Sequence, residues 1–231
     1  MTSFRASPVV VIGVVAIAAV ATTTAVIAWR ASTATIEAGF WWQDAPFALS
    51  PDDARKIGGP LRSDELTRIR QISRGEVERA YRGLRIAVSG NRTAFWRVVV
   101  VGDAITVTRN RTTNPFSLAG QSHVFGPLGG FGSVAFAVLA HNAIEYAPAG
   151  TSRAQVVEAI GRGIGRAGVH ELAHQALGTE NLTRIDSRDD EHSYEYGNAD
   201  RAAQYYGQLR WTTAWPVLQA KFGRKHVGLT N

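Results

Sequence analysis

The stretch from Ser152 to Gly178 constrains the fold more than any other. It opens with a capping-box signature, Ser152 with Gln155 three residues on. It continues with Val156, Val157, Ile160, Ile164 and Ala167 at helical spacing and meets a stop at Gly178. A helix from Ser152 to Leu177 is therefore expected, yet it carries Gly161, Gly163, Gly165 and Gly168. Each glycine costs about 1 kcal/mol relative to alanine in a helix interior. Such a cost needs an offset, and close approach of a neighbouring helix or sheet backbone supplies one.

The second half of this helix reads Val169-His170-Glu171-Leu172-Ala173-His174-Gln175, the pattern H-E-x-x-H. Residues i and i+4 stand one above the other on a helix face, so His170 and His174 can present two imidazole nitrogens to one metal ion. Zinc lowers the pKa of a bound water from about 16 to roughly 7, and a carboxylate at Glu171 is placed to take the proton released. The expected cofactor is Zn2+, and the expected chemistry is hydrolysis of peptide bonds with Glu171 as general base.

At 231 residues and 45% hydrophobic content, the chain supports one sizeable globular domain. Residues 1–30 stand apart, because Pro8 to Trp29 contains no charged residue and is long enough to span a bilayer as a helix. A cleaved signal peptide is the alternative, with Arg5 as the basic start and Ala19-Val20-Ala21 at cleavage spacing. The uncleaved anchor is preferred, since apolar character resumes after Thr24 and ends at Trp29, an interfacial residue. The expected location is thus the membrane, single-pass, with the domain extracytoplasmic. With no cysteine, a thiolate metal site is excluded and ligands must be His or carboxylate. The net charge of +6 is spread and interleaved with acids, as in Arg68 to Arg82, which argues against a nucleic-acid partner.

Residues 31–62 read as a linker containing Phe40-Trp41-Trp42, aromatics suited to packing on the domain or to a membrane interface, and residues 63–231 as the domain itself. Ser63 is expected to cap a one-sided helix reaching about Gly83. Arg85 to Ser89 and Phe95 to Val101 follow as strands around a turn cluster of hairpin length, Gly90-Asn91-Arg92-Thr93. Ile105 to Thr108 reads as a further short strand and Asn110 to Gly120 as a loop, while Gly126 to Gly132 either borders an extended-peptide cleft or forms a tight turn. Gly132 to Val138 returns as a strand before a helix over Leu139 to Tyr146, the alternative being a single longer helix from Ser133. The class is α+β. His123, His141 and His226 stand apart from the motif and read as structural.

From about Ser63 to Leu209, the motif and the order of elements (helix, small sheet, motif helix, further helix) resemble the zincin metallopeptidases. The resemblance implies a zinc peptidase acting on a peptide or protein substrate, with a third protein ligand after the motif. Leu177 and Glu180 occupy the places where a metzincin has Gly and His, so the gluzincin arrangement fits better; it takes a Glu from the next helix. Here that is Glu195, in the first turn of a helix expected from Ser193. His192, Asp190 and Asp186 compete for the same role. A non-catalytic zincin-like domain, binding a metal or a partner at the envelope, is the alternative function. Glu171 speaks for catalysis, because a structural metal needs no carboxylate beside a bound water.

Overall fold

The structure is a computed structural model describing residues 34–91, 97–105, 107–109, 112–114, 118–126, 129–179, 190–197 and 199–223. Pro8 to Trp29 and Asp186 lie outside the described residues. Among those that are described, no helix is long and apolar enough to cross a membrane.

The elements run β1 (Ile36–Trp42), α1 (Pro51–Lys56), α2 (Ser63–Ala80), β2 (Ile86–Ser89), β3 (Arg97–Gly102), β4 (Val107–Arg109), β5 (Thr112–Asn114), β6 (Gly120–Val124) and β7 (Gly130–Ala135). They continue with α3 (Phe136–Glu145), α4 (Arg153–Leu177), a 3-10 turn at Tyr194–Tyr196, α5 (Ala203–Tyr206) and α6 (Ala214–Phe222). The α+β class holds, with a five-stranded mixed sheet in the order β2-β1-β3-β7-β6 and a separate β4–β5 ribbon.

The sheet corrects two expectations. Phe40-Trp41-Trp42 lies in β1, one of the inner strands, with Phe40 buried, so the folded unit begins at Ile36 rather than at Ser63. Nor do β2 and β3 form a hairpin, since β1 lies between them and both run parallel to it. Their stagger is what makes this possible: β2 pairs with the first half of β1 up to Gly39, and β3 with the second half from Gly39 onward. The turn cluster after Ser89 therefore links two neighbours of a third strand. On β3, Val99 and Val101 are fully buried while Val98 and Val100 are half-buried, the pattern of an inner strand with one face on the core. β6, antiparallel to β7, closes the sheet as an edge strand where the sequence showed only loop and glycines.

Helix α4 forms as its sequence signals require. The Ser152 side chain accepts a hydrogen bond from the Gln155 N–H, and Gly178 ends the helix at φ 75°, a left-handed conformation glycine adopts without Cβ strain. The four glycines meet different neighbours. A Cβ at Gly161 would lie 2.8 Å from the Cβ of Ile72, and one at Gly165 2.5 Å from the Ser73 carbonyl oxygen, so α2 crosses on these two positions. Gly163 faces the ring of Tyr205, and Gly168 faces Phe40 of β1. Gly161 and Gly165 are one turn apart, which is why one helix can rest on both.

At the start of α4, Arg153 donates to the Glu65 carboxylate (2.7 and 2.8 Å) and to the carbonyls of Ile57, Gly59 and Pro60. The hydrogen bond from Arg153, helped by the Arg62 backbone N–H, lowers the Glu65 pKa from 4.5 to about 2 even though the group is buried. The interaction therefore stabilises the fold fully above about pH 4.5 and is lost as pH falls toward 2. Replacing Glu65 by Gln should lower stability at neutral pH and flatten the pH dependence of unfolding within that window, as read by urea denaturation at pH 2.5 to 7.

A glycine pair tests the packing account. Gly165→Ala should destabilise by about 1–3 kcal/mol, because backbone of α2 must move, whereas Gly75→Ala, with nothing within 4 Å of the new Cβ, should be stabilising by about 0.5–1 kcal/mol. Equal effects in thermal unfolding would contradict the packing argument.

Candidate metal centre

His170 and His174 lie on one face of α4 with their Nε2 atoms 3.0 Å apart and their rings at 89° to one another. Their orientation is set from behind. His170 Nδ1 is 2.8 Å from the Tyr194 carbonyl oxygen and His174 Nδ1 is 2.9 Å from that of Thr179. A carbonyl can only accept, so each Nδ1 carries a proton, and the two Nε2 atoms are left facing one another. Burial, and next the neighbouring His174, lower the His170 pKa from 6.5 to about 4, which keeps this imidazole neutral at physiological pH. Two imidazole nitrogens this close share either a proton or a cation. Tetrahedral zinc with Zn–N bonds of about 2.0–2.1 Å separates two nitrogen ligands by about 3.3 Å, so the donor pair fits such an ion.

Glu171 points elsewhere on the helix, toward the sheet. It is buried, and its carboxylate lies directly against the Cα of Gly120 on β6, where any Cβ would overlap it. Burial raises its pKa from 4.5 to about 7, with a hydrogen bond from Ser122 opposing the shift. His170, Glu171, Gly120, Gly197, Asp200 and Gln204 line a cavity of about 380 Å³. Gly197, at φ 54°, rests on the His170 ring: a Cβ there would sit 2.9 Å from Nε2. No larger residue leaves that nitrogen accessible.

Glu195 does not join the two imidazoles. The 3-10 turn begins as expected, with Ser193 Oγ accepting from the Glu195 N–H, but Gly197 turns left-handed and ends it after three residues. The buried carboxylate faces the start of α6 instead. It accepts from the backbone N–H groups of Thr212 (3.0 Å), Thr213 (3.2 Å) and Ala214 (2.5 Å), and from the hydroxyls of Ser193, Thr212 and Thr213. Burial alone would push its pKa up, but the hydrogen bonds led by Thr212 and Ala214 outweigh it and hold the group below the ordinary carboxylate value. Glu195 is thus an anchor for a helix N-terminus. Among its competitors, His192 is exposed, with Nε2 3.5 Å from Glu191, and Asp190 accepts from the His192 N–H. Among the described residues, no three His, Cys, Asp or Glu side chains gather around one point.

Three contributors to the site were not legible beforehand: the carbonyls of Tyr194 and Thr179, and the edge strand at Gly120. The first two are backbone groups. Thr179 alone had a local cue, since the left-handed turn at Gly178 folds the chain back over His174. The described glycines of 126–132 do not line the cavity; they serve the β6–β7 turn and the packing of β7 on Gln175. No family model, curated protein or solved structure matches this chain.

Because Glu195 satisfies several buried donors at once, Glu195→Ala should cost about 2–4 kcal/mol in urea denaturation. Folded Glu195→Ala protein should still bind zinc, with affinity reduced through the loosened Tyr194–Gly197 turn. Unchanged stability together with complete loss of zinc would return Glu195 to the coordination shell.

Proposed function

We propose that the chain is a zinc-dependent peptidase of the H-E-x-x-H type, in which His170 and His174 hold the metal and Glu171 moves the proton. The observation that carries this reading is the pair of Nε2 atoms facing one another at 3.0 Å while both Nδ1 atoms are committed to backbone carbonyls. Bound zinc supplies Lewis acidity, bringing the pKa of a coordinated water to about 7. The chain supplies the rest. Tyr194 and Thr179 hold the imidazole tautomers, Gly197 keeps the His170 nitrogen accessible, and the walls around Gly120 and Gln204 shelter the centre. Glu171 accepts the proton of the attacking water and returns it to the amine that leaves when the peptide bond breaks.

The order of α2, a mixed sheet and a motif helix supports a zincin-like fold, and the apolar run Pro8–Trp29 supports attachment to a membrane. The second reading is a zincin-like domain without catalysis that binds a metal or a partner, and one observation favours its partner-binding form: Glu195 is engaged by the start of α6, and the two imidazoles that come together among the described residues fall short of the four ligands of a structural zinc.

Zinc per chain, measured beside cleavage of an unstructured protein, separates the two. Glu171→Gln should retain zinc and lose hydrolysis by about 10²- to 10⁴-fold, whereas His170→Ala or His174→Ala should lose both. Zinc with no hydrolysis in the wild type selects the non-catalytic metal-binding domain, and a wild type that never takes up zinc sinks the peptidase and leaves partner binding.

A further inference from the structure

A second cavity of about 380 Å³ lies between the chain entering α1 and helix α3. It is separate from the imidazole pair but adjoins its cavity, because Val138 and Asn142, one turn apart on α3, line both. Ala48, Leu49, Ala137 and Val138 form its apolar walls. A volume in the range of ordinary ligand pockets, about 300–1,000 Å³, with apolar walls and a few fixed polar groups, is the physical description of a binding site.

The polar groups decide what it takes. Asp53 is only 4% exposed, and both of its oxygens are engaged: His141 Nδ1 lies 3.0 Å from Oδ1, and Ser50 Oγ donates to Oδ2 at 2.8 Å. A lysine or arginine entering the cavity would find no carboxylate lacking a partner. Ser50, turned to Asp53 and to the Asp53 N–H, is a helix cap rather than a nucleophile beside His141. Asn142 is likewise committed, donating to the Ala199 carbonyl at 2.9 Å. What faces a ligand is then mostly apolar wall, with His141 and Asn142 at its edge.

From this we infer that the cavity is a specificity subsite, receiving one large uncharged apolar side chain of a polypeptide whose scissile bond lies at His170 and Glu171. The inference rests on the peptidase reading above. The ridge of Val138 and Asn142 separates the subsite from the reacting bond, so the selected residue stands at a fixed distance from the cleavage point.

Cleavage of a degenerate peptide library by the full-length zinc-loaded protein should show a preference for Leu, Phe or Met at one fixed position. Ala137→Leu, which fills the cavity away from His170 and His174, should lower kcat/KM for those peptides by about 10- to 200-fold and leave peptides with Gly or Ala there unaffected. Leu49→Ala should extend the preference to Trp, which guards against a folding defect in the first variant. Zinc per chain should be unchanged in both. Binding is read separately by titrating N-acetyl-phenylalaninamide into the protein and following the Leu49 and Val138 methyl resonances, which should move in the wild type and not in Ala137→Leu. Methyl shifts without any cleavage would keep the pocket as an apolar binding site and overturn its role as a substrate subsite along with the peptidase reading. Cleavage with a profile unaltered by either variant would overturn the subsite and leave the peptidase standing, and methyls that do not move would overturn it whether or not the protein cleaves.

Discussion

Helix α4 is packed on nearly every side, and the removal of Cβ atoms is the condition for it. Gly161 and Gly165 admit α2, Gly163 admits Tyr205 and Gly168 admits Phe40. The intrinsic helix penalty of four glycines, about 4 kcal/mol, is offset by contacts that larger residues would hold apart. Burial then follows along the helix, so that most of its residues from Val156 to Ala176 are inaccessible, including the charged Arg166 and Glu171. Buried charge needs partners. Arg166 finds Glu76 on α2 at 3.4 Å and the carbonyls of Ala203, Gln204 and Gly207, which ties α2, α4 and α5 into one unit.

That packing fixes the imidazoles. The Tyr81 hydroxyl, fully inside the core, donates to the Val169 carbonyl immediately before His170. Arg162 and Arg166 hold the 203–207 segment whose Gln204 faces the cavity. The histidine side chains are then oriented by carbonyls from two separate loops. Backbone acceptors are suited to this task, because a carbonyl cannot exchange donor and acceptor roles as a hydroxyl or a second imidazole can.

What could be read from the sequence was what depends on local geometry. Ser152, Gln155 and Gly178 set the limits of α4, and the i, i+4 spacing paired His170 with His174, since helix caps and helix faces are decided within a few residues. The strand order was hidden because pairing is decided at long range. Gly90 and Asn91 form a genuine turn signal after β2, yet β1, some fifty residues earlier, lies between the two strands that the signal seemed to join. Gly120-Gln121-Ser122-His123-Val124 carries almost no strand propensity; it holds as an edge through its ladder to β7 and through Ser122, which donates to the Glu171 carbonyl. The surroundings of Glu195 were hidden for the same reason: Ser193 was a correct cap, but the partners of the carboxylate, Thr212 to Ala214, lie 17 to 19 residues further on.

The anchored Glu195 still acts on the centre. Its negative charge is felt at His170, where it favours the protonated ring against the larger effect of burial. A cation held by the two imidazoles would experience the same attraction. Because the hydrogen bonds from Thr212, Ala214 and Ser193 keep the carboxylate ionised, this attraction does not depend on a proton leaving as the ion arrives. A single buried carboxylate thus serves two purposes. It caps the start of α6, beside the bridge between Ser193 and Arg210 that holds the Tyr194 carbonyl against His170, and it places a negative charge near the imidazole pair.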